Sequence, residues 1–328
     1  MFVVGGESLI DLISEPVGAD GTIRLVAHQG GSPYNCAIAL SKLGNDTGFL
    51  CPISQDGLGT YLMGPLAAVG VKPLLAERVA APTTLAVVTY DDKRNANYGF
   101  YRSADRAFTR EGLLKALPEK LDVFQVGGFC PIKPEDAEVW LAVATEAMKR
   151  GAALSMDPNV RPSLVDDFAG YVRRLNSFLD IVQLVKVTIE DLVALKTNGQ
   201  AKSLSEAEED RLVEDYVADF LSRPRLELVI VTYGERGSRA FTKSARAEQG
   251  VHAAEPFGDT VGAGDSLMAG VLTQAQEWGA LKPGGLAALS AEKLTQLLRF
   301  GAVVAGLNCR HVGCVPPSRA EVDAVLRG

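Results

Sequence analysis

The clearest chemical signal in the sequence is a run of small residues between two aspartates, Asp-Thr-Val-Gly-Ala-Gly-Asp-Ser at 259–266. A small, apolar stretch with a helical pattern follows at 267–275. Helix N-termini leave backbone N–H groups unpaired and carry partial positive charge, so this turn can bind a phosphate. Because a phosphate repels a carboxylate, Asp265 makes sense there as the base for an attacking hydroxyl. The alternative is a glycine-rich turn in which Asp265 caps the helix.

The rest of the chain alternates short apolar runs with amphipathic patterns. Seven runs are predicted to be strands: 2–7, 47–53, 122–128, 153–158, 181–187, 228–233 and 238–243. The clearest helices are predicted over 134–149 and 205–222. This rhythm predicts an α/β fold with a mostly parallel sheet between helices. A TIM barrel shares the rhythm, but more helices than strands follow the phosphate turn, which favours an open, doubly wound sheet.

Two regions break this rhythm. Residues 22–28 and 83–103 have the pattern of antiparallel strands, and residues 91–94 (Asp-Asp-Lys-Arg) carry a hairpin signal. We predict a small β lid from about 12–30 and 83–103, over the strand ends where open α/β sheets bind ligands. The alternative is that these strands extend the main sheet. No linker, repeat or low-complexity tract divides the chain, so one domain over 1–328 is expected.

Composition narrows the classes of partner. The 328 residues carry a formal net charge of -7 without a dense basic block, so nucleic acid and anionic membrane surfaces are not expected partners. No signal peptide or apolar stretch of membrane-spanning length is recognised. The five cysteines are scattered, which favours reduced thiols and a cytoplasmic protein. The three histidines lie far apart, so a histidine metal site or a Ser-His-Asp triad is not expected.

Two motifs resemble a known family. Residues 259–270 (DTVGAGDSLMAG) resemble at every position the C-terminal signature of the ribokinase-like (PfkB) carbohydrate kinases. Residues 30–37 (GGSPYNCA), followed by LSKLG at 40–44, resemble that family's other signature, although Ser54 stands where many members carry glycine. The resemblance covers essentially the whole chain and implies a ribokinase-like fold and kinase activity.

Further segments resemble the bacterial fructokinases within that family: 6–11, 83–86, 100–102, 104–106 and 157–161. The 2-keto-3-deoxygluconate kinases share the Tyr-Arg pair and the Asp-x-Asn-x-Arg pattern, so they are the alternative. The resemblance implies transfer of a phosphoryl group from ATP to a sugar, with fructose as the first expectation. A sugar or nucleotide sensor would not need the base Asp265. A Rossmann dehydrogenase fits poorly, because no GxGxxG follows the first strand.

The resemblance also implies roles for residues. Asp265 would take a proton from the sugar hydroxyl, and the N–H groups of Gly262, Ala263 and Gly264 would form an anion hole. The predicted sugar-binding residues offer short polar groups, close backbone approach or a cation: Asp11, Gly30, Gly31, Asn35, Tyr101, Arg102 and Arg161. Asp11 follows an apolar strand and is expected at its end. Structural alternatives remain: Asp11 capping a turn, Asn35 capping a helix over 35–43, and the arginines solvated or in salt bridges.

The predicted nucleotide-binding residues are Lys186, Thr232, Gly234, Gly237, Ala305 and Asn308. Mg²⁺ would arrive with ATP and be held mainly by phosphate and water oxygens. Asp191 falls where the family often has a glutamate linked to Mg²⁺, and we expect it to act through water. Asp259, with backbone groups near Val261 and Gly313, is predicted to hold a monovalent cation as in some relatives, with K⁺ as the candidate. A homodimer through the β lid is a further expectation.

Overall fold

The computed structural model describes residues 1–18, 20–90 and 96–327. The strands are β1 (Phe2–Gly5), β2 (Leu9–Ser14), β3 (Leu25–Gly30), β4 (Thr47–Leu50), β5 (Lys72–Pro73), β6 (Leu85–Tyr90), β7 (Ala96–Tyr101), β8 (Val123–Gly127), β9 (Ala153–Asp157), β10 (Leu184–Thr188), β11 (Leu228–Thr232), β12 (Ser238–Phe241) and β13 (Arg246–Gln249). The helices are α1 (Ser32–Lys42), α2 (Gly57–Val69), α3 (Arg110–Ala116), α4 (Pro134–Lys149), α5 (Phe168–Leu179), α6 (Ile189–Lys196), α7 (Glu206–Ser222), α8 (Ala263–Glu277), α9 (Ala291–Asn308) and α10 (Arg319–Arg327).

The main sheet has nine strands in the order β13-β12-β11-β10-β9-β8-β1-β4-β5. Its pairs are parallel from β5 to β11, and the last two pairs, β11–β12 and β12–β13, are antiparallel. Every residue of β1, β8 and β9 is buried, as expected for strands covered on both faces. The carboxyl ends of these parallel strands therefore share one edge, where a site can form.

Helices cover both faces of this sheet. Because side chains alternate along a strand, Val3 of β1 packs in the core beneath α4–α7, and Val4 packs in the core beneath α1, α2, α8 and α9. The sheet is open, with β13 and β5 at its edges. The predicted doubly wound fold is confirmed, and the barrel alternative is wrong.

Most predicted elements lie where the sequence placed them. Helix α4 has the predicted bounds, and α7 begins one residue after the predicted start. The helix predicted over 35–43 begins earlier, at Ser32, because Pro33 suits the first turn of a helix. The edge strands β5 and β13 were not predicted, since their short and polar sequences carry no apolar run.

The two regions that break the rhythm form a second sheet of four strands, in the order β3-β2-β6-β7. Strands β2–β3 and β6–β7 pair antiparallel, as predicted, and the parallel pair β2–β6 joins the two hairpins. These strands do not extend the main sheet. The hairpin signal at 91–94 lies outside the described residues. Movement of the second sheet as a lid stays a prediction.

Helices α8 and α9 pack closely behind the turn that the sequence singled out. A methyl group on Gly270 would lie 2.9 Å from the Cα of Gly301, so only glycine allows these backbones to approach so closely. This contact sets the close separation of α8 and α9. Among the residues that the structure describes, no helix combines the length and hydropathy needed to cross a bilayer.

Candidate active site

A cleft of about 580 Å³ lies at the carboxyl ends of the main-sheet strands, between them and the second sheet. The 259–265 turn, the start of α1, the ends of β9 and β10, and the inner face of the second sheet all contribute side chains to its walls. The polar and charged lining residues are Glu7, Asp11, His28, Ser32, Asn35, Asp157, Asn159, Arg161, Lys186, Thr188, Asp259, Thr260 and Asp265. The topology thus gathers residues from most of the chain length into one site.

The turn before α8 leaves backbone N–H groups without hydrogen-bond acceptors in the described part of the chain. Gly262 precedes the helix with φ 75°, a left-handed conformation that glycine adopts without strain. The N–H of Ala263 donates to the Thr260 carbonyl at 3.1 Å. Across the described part of the chain, the N–H groups of Gly262 and Gly264 have no hydrogen-bond acceptor. The predicted three-donor anion hole is therefore corrected to two open donors, because Ala263 is used within the turn.

Asp265 lies in the first turn of α8, and only 8% of it is exposed. Its carboxylate accepts hydrogen bonds from the Ser32 hydroxyl at 2.6 Å and from the Asn35 amide at 2.9 Å. Burial, with the charge of Asp157, raises the pKa of Asp265 to about 6. It makes no capping hydrogen bond to its own helix, so the helix-cap alternative is wrong. Asn35 lies inside α1 rather than at its cap, and its amide is spent on Asp265.

Lys186 and Asp157 form an ion pair on the floor of the cleft, with Nζ 2.9 Å from Oδ2. Burial opposes the charge on Lys186, but neighbouring carboxylates outweigh it and raise the pKa of the lysine. The Nζ atom lies 3.0 Å from where a Cβ on Gly264 would be. The ammonium is therefore beside the open end of α8, within reach of any anion bound there.

Asp191 is not placed as a metal ligand. Its two carboxylate oxygens accept the N–H groups of Val160, at 2.7 Å, and Thr188, at 2.8 Å. In return, the Thr188 hydroxyl accepts the Asp191 N–H at 3.0 Å, which completes a capping box at the start of α6. We therefore correct its predicted role: Asp191 holds the loop after β9, and its short side chain does not reach outward.

Asp259 helps to hold the turn before α8 in place. Its carboxylate accepts the N–H groups of Val261, at 2.9 Å, and Gly313, at 2.8 Å. A monovalent cation needs oxygen ligands, and these contacts to N–H donors do not test for them, so the predicted cation site stays a prediction. Asn308 contributes to the same turn, because its amide donates to the Val261 carbonyl at 2.8 Å. Both residues shape the turn that leads into α8.

Asp11 faces the cleft from the middle of β2, opposite His28 of β3. The prediction that Asp11 lies at the end of a strand was wrong, because the apolar run before it belongs to two elements, β1 and the start of β2. Burial raises the pKa of Asp11 to about 6, and the positive charges of His28 and Arg161 only partly offset it. A methyl group on Gly30 would lie 2.2 Å from the Asp11 carboxylate, so Gly30 makes room for that side chain.

The neighbouring Gly31 allows the chain to leave the second sheet and enter α1. It precedes that helix with φ 107°, and a methyl group there would lie 2.8 Å from the Glu7 carbonyl. The predicted sugar-binding glycines thus lie at the junction of the sheet and the cleft. The absence of side chains at Gly30 and Gly31 lets Asp11 and the start of α1 lie close together at the cleft.

Tyr101 and Arg102 are not brought to the walls of the cleft. Tyr101 is 66% exposed, because alternation along β7 turns Phe100 inward and Tyr101 outward. Arg102 is buried between two carboxylates, at 2.7 Å from Asp105 and 3.3 Å from Asp136. Both predictions of sugar binding are corrected by this geometry. The salt-bridge alternative holds for Arg102.

Arg161 does line the cleft, on the loop after β9. Its guanidinium makes only long contacts to the carbonyl groups of Asn159, at 3.4 Å, and Val160, at 3.2 Å. This leaves most of its donors available to a ligand. Of the two arginines that the sequence singled out, Arg161 is the one in the cleft.

The remaining predicted nucleotide-binding residues continue along the same edge of the sheet. Thr232 ends β11 beside Thr188, a residue of the cleft wall. Gly234 and Gly237 lie in the turn that connects β11 to β12. Ala305 lies on α9. These residues are outside the walls of the cleft itself, so their contact with a nucleotide stays a prediction.

Comparison with known proteins identifies the family. The chain matches the pfkB family carbohydrate kinase model over residues 1–321. This chain belongs to the pfkB family of carbohydrate kinases. Members of this family transfer phosphoryl groups to sugar hydroxyls, so the chain is a carbohydrate kinase.

Relatives of this kinase match over its whole length. The probable fructokinase-4 of Arabidopsis thaliana is 31% identical, with 100% of this chain and 97% of that protein covered. The crystal structure of fructokinase with bound ATP from Xylella fastidiosa has a TM-score of 0.85 at 26% identity, with 99% and 98% covered. The structure of ribokinase from Giardia lamblia has a TM-score of 0.77 at 22% identity, with 99% and 98% covered. This last likeness speaks to the fold alone.

Several polar cleft residues of this kinase were missing from the predicted site, and four of them lie beside groups described above. Ser32 holds the base, Asp157 pairs with Lys186, and His28 lies opposite Asp11. Glu7 accepts the Phe129 N–H at 2.8 Å, and burial raises its pKa to about 7. Asp157 carried a signal that could have found it: it is a charged residue directly after a buried apolar run, at a strand end.

The Asp265→Asn variant tests the base. We expect it to bind sugar and nucleotide while turnover falls by roughly 10²–10⁴-fold, because the amide cannot take the hydroxyl proton. The measurement is steady-state ADP release at saturating substrates. Since ionising buried Asp265 costs stability as pH rises through its raised pKa, the variant should melt no lower than the wild type. Near-normal turnover by this folded variant would contradict the assignment.

The pH dependence of turnover follows from the same carboxyl group. Asp265 must be ionised to act, so kcat should fall as the pH drops through about 6. Because Asp11 has a similar pKa, kcat at saturating sugar is the quantity to measure, and KM reports on Asp11. The acid limb should be absent from the residual activity of Asp265→Asn. An acid limb that persists unchanged in this variant would assign it to another group.

Proposed function

We propose that this carbohydrate kinase transfers the terminal phosphoryl group of ATP to D-fructose, giving fructose 6-phosphate and ADP. The observation that carries the proposal is the buried Asp265 carboxylate beside the two open N–H groups of Gly262 and Gly264. A base and an anion-binding helix end at one place are what in-line phosphoryl transfer requires. The names of the Arabidopsis and Xylella relatives support fructose and ATP.

The chemistry follows from where these groups lie. A hydroxyl placed against Asp265 loses its proton to the carboxylate, and its oxygen forms a bond to the terminal phosphorus of ATP. The bond from that phosphorus to the bridging oxygen breaks, and ADP leaves. The N–H groups of Gly262 and Gly264, with the Lys186 ammonium, stabilise the charge of the phosphoryl oxygens. Bound Mg²⁺ would neutralise further phosphate charge.

The fit of Mg²⁺ and nucleotide rests on the donor set. The helix end and Lys186 offer hydrogen-bond donors and positive charge to phosphate oxygens. Within residues 1–18, 20–90 and 96–327, no cluster of three or more acidic, histidine or cysteine side chains is arranged to hold a metal. We propose that Mg²⁺ arrives with ATP and is held mainly through phosphate and water oxygens.

The choice of an uncharged sugar is supported by the place of the arginines. A 2-keto-3-deoxygluconate carboxylate would be served by Arg102 and Arg161 together. Arg102 is instead neutralised by Asp105 and Asp136, and its side chain is only 10% exposed. The cleft then offers Asp11 as a hydroxyl acceptor and Arg161 as the single arginine of the pair. This combination favours an uncharged sugar with several hydroxyl groups over a sugar acid.

The second sheet would cover the sugar and keep water from the phosphoryl group. Strands β2 and β6 place Asp11 and Val88 over the cleft, so closure would bring the sugar's hydroxyls against Asp11. A homodimer through this sheet also stays a proposal. It is supported by the exposed apolar side chains of Leu25, Val26 and Tyr101 on the sheet, and the mass in solution would test it.

A panel of sugars tests the substrate. We expect ADP release with Mg-ATP to have its highest kcat/KM with fructose, compared with 2-keto-3-deoxygluconate, ribose and glucose, because Arg161 is the one arginine among the described residues that lines the cleft. Coupled assays measure ADP, and the phosphorylated product is identified by NMR. Exclusive turnover of 2-keto-3-deoxygluconate would overturn the choice of fructose and keep the kinase.

The Arg161→Ala variant sharpens this panel. Loss of its guanidinium should lower kcat/KM for a keto acid more than for fructose, because only the acid offers a carboxylate partner. The control is Arg161→Lys, which keeps the charge but loses bidentate geometry. Equal losses for both sugars would place Arg161 on the phosphates instead of on the sugar.

A further inference from the structure

The Lys186–Asp157 ion pair is unusually secluded for two charged groups. The exposed fractions of the two side chains are 3% and 5%. Their strands pair in parallel through Val185 and Met156, so Asp157 at the end of β9 stands beside Lys186 in the middle of β10. Desolvating two charges costs free energy that their mutual attraction does not reliably return. Such a pair therefore invites a functional explanation.

The position of the lysine supplies that explanation. Its Nζ lies 3.0 Å from the place of a Cβ on Gly264, so the absence of a side chain there leaves room for the ammonium. Gly264 lines the cleft, and its N–H has no hydrogen-bond acceptor among the described residues. The ammonium and this donor thus converge on one space at the start of α8.

Among the described residues, one carboxylate holds the lysine directly. Asp157, Asp191 and Asp265 all act on its charge. Asp191 is committed to the N–H groups of Val160 and Thr188, and Asp265 to Ser32 and Asn35. Asp157 Oδ2 makes the 2.9 Å contact with Nζ. Its other oxygen, Oδ1, is buried and has no hydrogen-bond partner among the described residues, so no competing contact draws Asp157 away.

We propose that Asp157 is a positioning residue for phosphoryl transfer: its carboxylate holds the Lys186 ammonium, charged, against the open end of α8, where the transferred phosphoryl group is bound. This inference rests on the proposed function and adds a residue that the sequence analysis did not place in the site. Lys186 is the group that touches phosphate, and Asp157 acts through it.

The arrangement gives Asp157 two opposite electrostatic tasks. Its charge favours the charged form of Lys186 and raises the pKa of the lysine. The same charge disfavours ionisation of the base and helps to raise the pKa of Asp265. The other groups facing the pair are Asp191 and, beside Asp265, the thiols of Cys36 and Cys314. Burial raises the pKa of both thiols, which keeps them neutral.

The test is Asp157→Asn, which keeps the shape and an acceptor for Nζ but removes the charge. We expect kcat to fall by roughly 10²-fold, as when one electrostatic stabiliser is lost, with a much smaller change in the KM for the sugar. Both limbs of the kcat profile should move to lower pH, because Lys186 loses its counter-charge and Asp265 loses a like charge. A purely structural role would reduce activity without moving both limbs in the same direction.

Matched variants complete the kinetic test. Asp157→Glu restores the charge and should return the alkaline limb towards its wild-type position. Asp46→Asn removes the carboxylate from the exposed Lys72–Asp46 pair, at 2.5 Å and far from the cleft, and should change neither limb. If both limbs of Asp157→Asn stay at wild-type pH values, the inference is overturned.

A second readout does not depend on turnover. In protein labelled with ¹³C-lysine, the resonance that disappears in Lys186→Met belongs to Lys186, and its titration reports the charge directly. We expect this titration to move to lower pH in Asp157→Asn and to return in Asp157→Glu. An unmoved titration overturns the inference even in an active kinase. If no sugar is phosphorylated, the proposed function fails, and the titration still decides whether Asp157 holds the charge.

Discussion

The structure depends on one buried carboxylate and the two donors that hold it. Asp265 lies in the first turn of α8, and the Ser32 hydroxyl and Asn35 amide reach it from the first turns of α1. A buried charge is tolerated only when hydrogen bonds replace water, so these contacts fix the two helices relative to each other. The open end of α8 and the junction at Gly31 are oriented by the same contacts. The site is therefore assembled by long-range folding rather than by one motif.

Around that carboxylate, one cation faces three carboxylates. Lys186 is the cation among Asp157, Asp191 and Asp265, and backbone N–H groups satisfy Asp191. Burial raises the pKa of Asp265 while leaving its oxygens hydrogen-bonded. A carboxyl group in this state is ionised at neutral pH yet is a better proton acceptor than an exposed aspartate. The same low-polarity surroundings strengthen the pull of Lys186 and the helix end on a phosphate.

Local patterns in the sequence predicted the fold and the centre of the site. Apolar runs and helical periodicity gave the sheet and the exact span of α4, and the glycine-rich turn pointed to Asp265. Tyr101 and Asp11 were misplaced because strand parity and element boundaries decide which way a side chain faces. Arg102 was misplaced because Asp136, which is distant in sequence, joins Asp105 beside it only in the folded chain. Pairing across the fold is invisible to local periodicity.

The most direct test of this account is a double-mutant cycle on kcat with Asn35→Ala and Asp265→Asn. If Asn35 acts by holding the base, its loss should slow the wild type but leave the kcat of Asp265→Asn unchanged, because there is no carboxylate left to hold. The cycle is measured at saturating sugar and ATP, with melting temperatures for all four proteins. Equal fold-losses from Asn35→Ala in both backgrounds would show that Asn35 and Asp265 act independently and would contradict the account.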